Sequence, residues 1–390
     1  MINNNKKHCL VVTTFDKNQP GFLDFSYRMQ SLAAHYQLTV ISTFAFTQPE
    51  LQIPNVNYLV LDCKQGRMAW LGYLWNCAQL IKQQKPHVVV LLHSMAAPIA
   101  AITGDVPTIT YWNEHPTHIA PEPTGFAPIK AFTRYAIRWL MYYGARKSAL
   151  VMPIGEAHRD DLLAHQCNPS QTQMIYMGVA QSFNGVALHE NTPNSSCAVN
   201  LVYVGSVHED RGRDVMLEAI AIANKQSKVA HLTIVGASDE QYQYCHTALI
   251  KLGITDSVTI HGRVAGHMIP NFMQQADAGI CLWQDLAWYR FNPPTKLFEY
   301  LVAGLPVLAS NIRTHTQYIQ DGFNGVIFNY DSESLAQAMQ TMWQNRDELA
   351  QMKNRTHQAS AAYLWVNIEP SFLWAIEKVI SIKHVNTIKI

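Results

Sequence analysis

Lys296 and Glu299 lie three residues apart in Asn292-Pro-Pro-Thr-Lys-Leu-Phe-Glu-Tyr-Leu-Val-Ala-Gly-Leu-Pro-Val-Leu-Ala-Ser310. If that stretch is helical they share one face. Pro293 and Pro294 suit a helix's first turn, where a missing N–H costs nothing, and Gly304 suits its exit, where a left-handed residue is wanted. The spacing predicts a helix of about two turns. Its free amides around Thr295 and Lys296 form an anion site, to which Lys296 adds a mobile positive charge. Glu299 cannot hold an anion, but its carboxylate can accept two hydrogen bonds from a vicinal diol such as a ribose. The bland alternative is a surface helix with Glu299 as a solvated charge. A second stretch, Leu201-Val-Tyr-Val-Gly-Ser-Val-His-Glu-Asp-Arg-Gly-Arg-Asp214, reads as a strand, a glycine turn at Gly205 and a basic helix start, which suits close approach of backbone to a phosphate.

Pro-Thr-Lys-Leu-Phe-Glu-Tyr-Leu-Val-Ala-Gly-Leu-Pro-Val resembles the donor-site pattern P-x-K-x-x-E-Y-x-x-x-G-x-P-V of retaining glycosyltransferases of the GT-B fold, in particular the large family 4. The resemblance implies that Glu299 binds the ribose of a nucleotide-sugar donor and that Asn292, Thr295 and Lys296 contact its diphosphate. The family's turn V-G-R-x-x-x-x-K-G is matched at Gly205, with Ser206 where the arginine stands and Arg211 where the lysine stands. One positive charge is therefore missing. Arg211 can clamp phosphate bidentately, and Arg213 or Arg263 is the expected source of the second charge. In the fuller pattern another glutamate, eight positions before the ribose glutamate, contacts the transferred sugar; here Phe291 occupies it. The sugar is not readable from that position.

The first half offers acceptor-side candidates. The loop Thr14–Gly21 follows the first strand, where this fold places a loop between donor and acceptor, so Gly21 is either a functional glycine or a plain turn. His93 ends the run Val-Val-Val-Leu-Leu-His and is either a cleft residue or a satisfied strand-end histidine. Tyr111-Trp-Asn-Glu-His-Pro116 resembles the family's Y-D-S-H-E segment with the acid and the histidine transposed. Glu114 and His115 are expected at the acceptor, and His115 is the candidate to take the proton from an attacking hydroxyl. In retaining transferases of this type the donor's own phosphate oxygen is the alternative base.

Short β-branched runs alternating with helical patterns must position these groups. Expected strands are 8–14, 38–44, 56–61, 87–93, 108–112 and 149–154, then 201–205, 231–236, 258–262, 278–283, 306–310 and 325–329. Helices are expected over 22–36, 68–84, 96–102, 127–146, 156–165, 215–225, 241–252 and 269–275. Two doubly wound, Rossmann-like parallel sheets of α/β class follow, and their facing strand ends would form a cleft, the GT-B arrangement. Residues 1–180 are expected as the acceptor domain, 181–198 as a linker and 199–362 as the donor domain. A final helix over about 363–385 would return to the first domain through Trp365, Phe372 and Trp374.

Composition excludes other classes. The 390 residues are 48% apolar and 15% charged with a formal charge of +1, so the chain folds and lacks the basic balance of a nucleic-acid binder. Seven scattered cysteines without a C-x-x-C pair point to a reducing compartment and no zinc site. With no leader-like segment at its start and no run of about 18 apolar residues, a cytoplasmic protein is expected. Lys130, Arg134 and Arg138 recur every four residues on a helix rich in aromatics, a solvated basic face or a peripheral contact with an anionic membrane. The lack of G-x-G-x-x-G after the first strand argues against a NAD dehydrogenase. The expected activity is metal-independent, cofactor-free transfer of a hexose-type sugar from a UDP- or GDP-sugar to a saccharide or lipid-linked acceptor in cell-surface polysaccharide synthesis, with Arg211, Lys296 and His115 as catalytic candidates. The alternatives are a nucleotide-sugar epimerase of the same fold and a non-catalytic nucleotide-sugar or glycan-binding assembly partner.

Overall fold

The computed structural model describes residues 6–14, 22–63, 66–121, 127–188 and 198–388, with side chains as far as Ile382. The chain forms two compact units, Met1–Gly178 with Trp365–Ile390, and Val179–Leu364.

Unit 1 is built on six parallel strands: β1 His8–Val12, β2 Gln37–Ser42, β3 Asn57–Val60, β4 Val88–Leu91, β5 Thr108–Trp112 and β6 Leu150–Pro153. Their order is β3-β2-β1-β4-β5-β6. Val-Val-Val-Leu in β4 is buried throughout, as a strand covered on both faces must be. Helix α1 (Phe22–His35) follows β1, α2 (Arg67–Gln84) follows β3, and α3 (Pro128–Lys147) precedes β6. Both α2 and α3 pack on the segment Ser94–Ala101, sharing one apolar cluster with Leu10, Val12, Val89 and Leu91. The sequence predicts a helix near that segment; it forms as a 3-10 helix, with Pro98 inside it removing an amide donor. Gly144 of α3 lies so close to it that a Cβ would stand 2.2 Å from the Ala97 carbonyl oxygen.

Unit 2 repeats the plan with β7 Val199–Val204, β8 Ala230–Ala237, β9 Val258–Gly262, β10 Ala278–Cys281, β11 Val307–Ser310 and β12 Gly325–Phe328, in the order β12-β11-β10-β7-β8-β9. The helices used below are α4 (Arg213–Ala223), α5 (Thr295–Ala303) and α6 (Ser332–Gln344). Leu201, Tyr203, Ile234 and Ile280 of the sheet join Met216 and Ile220 of α4 and Leu335 and Met339 of α6 in one core. Both sheets are thus doubly wound, as the alternation of runs predicts. In each the order reverses beside the first strand, at β1/β4 and at β7/β10, and the ends of those strands are where such sheets hold ligands.

Two expectations change. The described part of the expected linker, 181–188, is packed structure of unit 2: Phe183 and Ala187 are buried, and Gly185 donates its N–H to the Val302 carbonyl of α5 at 2.9 Å. Residues 189–197 lie outside the described residues. The final helix, Trp365–Ile388, belongs to unit 1 and buries Phe372 and Ile376. Trp374, expected to pack with it, instead faces outward, with the Lys378 ammonium 5.1 Å from its ring centre.

Candidate functional site

Helix α5 begins at the double proline, with Pro294 extended as its N-cap, and ends at Gly304 in the left-handed region with φ 84°. Seven of its nine residues are buried, leaving Thr295 and Glu299, four apart on one face, partly open. The helix is therefore sunk into unit 2 with one polar window, in which Thr295 and Glu299 lie.

Lys296 is among the buried seven. Its ammonium stands 3.6 Å from the centre of the Tyr203 ring on β7, and among the described residues no atom accepts a hydrogen bond from it. A Cβ on Gly205, the residue that follows β7 with φ 122°, would meet Nζ at 3.4 Å. The expected mobile charge is thus a fixed one, held by a ring face against the glycine turn. Burial pulls its pKa from the usual 10.5 to about 7, and the nearby Arg211 charge pulls the same way against Cys281 and Glu299. Burial likewise pushes the Glu299 carboxyl up to about 7, with Lys296 opposing.

Arg211 closes a 3-10 turn, Glu209–Arg211, which Gly212 ends in the left-handed region at φ 74°. A Cβ there would stand 2.1 Å from Leu282, so this glycine lets the turn pack against the end of β10. Arg211 lies close enough to act on Tyr203, Tyr289 and Lys296. It makes no ion pair among the described residues. Arg213, one of two expected sources of a second charge, is committed elsewhere: it binds Asp214 at 2.9 and 3.0 Å and stacks on Tyr244. Arg263 is exposed beyond β9, the edge strand, which β8 separates from β7. Ser206 is half-buried, and its carbonyl accepts the Tyr203 hydroxyl at 3.0 Å.

The sequence reading missed an aromatic floor. Trp283, just past β10, stacks on Tyr289 with ring centres 4.3 Å apart, and the Tyr289 hydroxyl donates to Asp210 at 3.0 Å. That bond joins the 283–292 segment to the turn bearing Arg211. Phe291 and Asn292 are half-buried in the same segment and donate their amides to the Trp288 carbonyl. Below Trp283, Ser310 Oγ accepts the Trp283 N–H at 3.0 Å and lies 3.1 Å from His315 Nδ1, while His315 Nε2 stands 3.4 Å from Cys281 Sγ. Burial drives the His315 pKa down to about 3, so the imidazole is neutral.

The acceptor-side candidates sit at the strand ends of unit 1. His93 follows β4 and accepts the Met95 N–H as an N-cap; burial lowers its pKa to about 4. Glu114 pairs with His118 at 2.8 Å, and its carbonyl accepts the Ser94 hydroxyl at 2.8 Å. His93 and Glu114 lie within electrostatic reach of each other. His115 differs from expectation: it is 3% exposed and caps the turn Pro116–Ile119. Its Nδ1 lies 2.6 Å from Thr117 Oγ1, and its Nε2 lies 3.2 Å from Asp161. Both ring nitrogens are engaged, so the imidazole is placed as a structural link and not as a base open to substrate. Burial alone would raise the Asp161 carboxyl, but the hydrogen bond from His115 holds it below the usual range. Gly21 lies outside the described residues.

Chemically, unit 2 offers a buried ammonium without a hydrogen-bond acceptor among the described residues, a second cation, a glycine turn and a helix N-terminus for a polyanion, with a carboxylate one turn away for a diol. Residues 198–345 match the family model described as glycosyl transferases group 1. A search of curated proteins finds no match. Among solved structures, Anabaena HepE in complex with UDP superposes with a TM-score of 0.74 at 15% identity, over 95% of this chain and 100% of that one. Sucrose-phosphate synthase from Thermosynechococcus elongatus gives 0.71 at 12%, over 96% and 100%. WaaG, a glycosyltransferase involved in lipopolysaccharide biosynthesis, gives 0.66 at 17%, over 91% and 96%. At such identities the likeness is one of fold. The chain has the GT-B fold of these proteins, and its residues 198–345 carry the glycosyl transferases group 1 match.

Proposed function

We propose that the protein transfers a hexose-type sugar from a UDP- or GDP-sugar to a saccharide or lipid-linked saccharide acceptor, in cell-surface polysaccharide synthesis. The observation that carries this reading is the Lys296 ammonium, buried against the Gly205 turn without a hydrogen-bond partner among the described residues. Leaving such a group unpaired costs several kcal/mol, roughly, and a bound diphosphate would supply the missing acceptors. The family match over the same residues supports it, as do the UDP and UDP-glucose complexes of HepE and the lipopolysaccharide role of WaaG.

In this reading Glu299 accepts the ribose hydroxyls, and Lys296, Arg211 and the first amides of α5 hold the diphosphate, with Ser206, Asn292 and Thr295 around it. As the acceptor hydroxyl attacks the anomeric carbon, the bond to the phosphate oxygen breaks and negative charge grows on the leaving diphosphate. Lys296 and Arg211 stabilise that charge without a metal ion. The acceptor proton passes to the departing phosphate oxygen, and the anomeric configuration is retained. His93 and Glu114 contribute to acceptor binding. The engagement of both His115 nitrogens favours this proton route.

The test is a thermal-shift panel of UDP, GDP, ADP and their sugars. The preferred nucleotide, at a hundredfold excess over Kd, is expected to raise the melting temperature by about 5–10 °C, and Glu299→Ala to abolish the shift. An unchanged shift in that variant would sink the donor-site assignment. Tight nucleotide binding without transfer or donor hydrolysis would favour a non-catalytic binder, a reading that Phe291 keeps open. A separate expectation concerns His115→Ala: full turnover at saturating acceptor, with stability lowered by about 1–3 kcal/mol because Asp161 loses a buried donor. A loss of kcat beyond about tenfold in the folded variant would restore His115 as a base.

A further inference from the structure

The sheet of unit 2 ends at β12, and a groove of about 310 Å³ runs between that edge strand and helix α6. Its size falls within the range of small-ligand sites, about 300–1,000 Å³. Residues 326–329 of the edge strand line it, with Asn311 beyond β11 and Ser334, Gln337 and Thr341 of α6. Local sequence builds each wall. Leu335, Met339 and Met342 sink one face of α6 into the core, which leaves Ser334, Gln337 and Thr341, three and four apart, on the groove side. Ser310 is in register with Phe328, so Asn311 and Asn329 leave the sheet on neighbouring strands, and the Asn311 N–H donates to the Phe328 carbonyl at 2.7 Å.

The lining chemistry selects the occupant. None of the lining residues carries a charge, so an anion finds no cation there and a divalent metal ion no carboxylate. Asn311, Asn329 and Gln337 are exposed, and among the described residues nothing binds their carboxamides. The Ser334 hydroxyl donates to Asp331 at 2.8 Å and the Thr341 hydroxyl to the Gln337 carbonyl at 3.0 Å, so both present their oxygens as acceptors. The backbone of β12 argues against an added peptide strand. Asn324 and Phe328 bond to β11, which turns Ile327 and Asn329 outward. Ile327 already donates its N–H to Asp321 at 2.8 Å, and the Asn329 carbonyl accepts the Asp331 N–H at 2.8 Å. Only the Ile327 carbonyl and the Asn329 N–H stay open beside the groove among the described residues, and strand addition needs a continuous row. A neutral sugar fits the whole set. Its hydroxyls both donate and accept, as carboxamides do, and its C–H face can rest on the half-buried Val326 and Ile327.

We propose that the groove between β12 and α6 is a saccharide site separate from the donor cradle, which holds a neutral segment of a glycan. None of its lining residues belongs to that cradle, so failure of either reading leaves the other standing. The experiment is two-dimensional amide NMR of the full chain with saturating UDP, titrated with maltose, cellobiose and lactose. One or more of these is expected to shift the side-chain amide signals of Asn311, Asn329 and Gln337 and the backbone signal of Asn329, with a Kd of about 1–10 mM. Without charges in the lining, that Kd should stay constant between about 0.05 and 0.5 M NaCl. Asn329→Ala and Gln337→Ala should each weaken binding about fivefold. Their unchanged melting temperature and UDP shift show that they are folded, and Glu299→Ala should leave the saccharide shifts in place. No shift at these residues with about 50 mM of any of the three sugars overturns the proposal. So does undiminished binding by both variants, or tighter binding of glucose 6-phosphate, which would assign the groove to an anion.

Discussion

Lys296→Met is expected to lower kcat by about 10²–10³-fold, the loss typical of removing one preorganised group that stabilises developing charge. The same substitution should stabilise the ligand-free protein by about 1–4 kcal/mol, since methionine fills the slot over Tyr203 without an uncompensated buried charge. The opposite signs are diagnostic. A lysine that merely packed would lose stability on substitution and leave turnover alone. Unfolding in denaturant and single-turnover transfer measure the two effects, and a variant both less stable and fully active would defeat the assignment.

The pH dependence follows from the same pair. Glu299 rises from 4.5 to about 7 on folding, so its contribution to stability is full below pH 4.5 and lost as pH climbs to about 7. Lys296 falls from 10.5 to about 7, so its contribution is full above pH 10.5 and lost as pH drops to about 7. The ligand-free protein should therefore show a local stability minimum near neutrality from these two groups. Nucleotide affinity should peak there, because the diol needs the carboxylate and the diphosphate needs the ammonium. Glu299→Gln should remove the acid limb of the binding profile and weaken binding by about 10–100-fold, leaving the alkaline limb in place. Calorimetric titration across pH checks both limbs; retention of the acid limb in Glu299→Gln would assign it to another group.

Much of this was legible in the sequence for identifiable physical reasons. Parallel strands covered on both faces are apolar almost throughout, so Val88–Leu91 and, up to its closing Ser310, Val307–Ser310 announce themselves as runs. Helix α5 is bracketed by residues with special backbone preferences, Pro293, Pro294 and Gly304, which act locally. Helix α6 was not among the elements read from the sequence, although Asp331 caps it through the Ser334 amide and Leu335, Ala338, Met339 and Met342 follow at helical spacing. What the sequence could not show is the state of each group. Lys296 reads as a mobile cation because its burial depends on Tyr203 of a distant strand. His115 reads as a strand-end base because Asp161 and Tyr142, which enclose it, come from later helices. The Trp283–Tyr289 floor needs the strand order before its members become neighbours.

The same limit hides the residue with the largest expected effect on stability. Asp24 and Arg28 stand four apart in α1, a spacing that on a helix surface is worth about 0.3–0.5 kcal/mol. In the fold Arg28 is fully buried and Asp24 nearly so. The carboxylate accepts Arg28 at 2.9 and 3.0 Å, the Tyr111 hydroxyl at 2.6 Å and the Gly178 amide at 2.8 Å, while Arg28 also donates to the Tyr176 carbonyl at 2.8 Å. The guanidinium lies 4.1 Å from the Tyr111 ring centre, with Phe372 and Trp365 at 5.0 and 5.3 Å. One ion pair thus ties α1 and β5 to the place where the chain leaves unit 1, at Gly178, and the place where it returns, at Trp365. Arg28→Met leaves a buried carboxylate without its cation and is expected to cost about 3–5 kcal/mol. Adding Asp24→Leu should recover part of that loss, since an apolar pair carries no desolvation penalty. Recovery stays incomplete, because the Tyr111 hydroxyl and the Gly178 amide lose their acceptor at about 1–3 kcal/mol each. A double-mutant cycle in denaturant measures the coupling, and a single-variant cost below about 1 kcal/mol would mean that the pair contributes no more than a surface bridge.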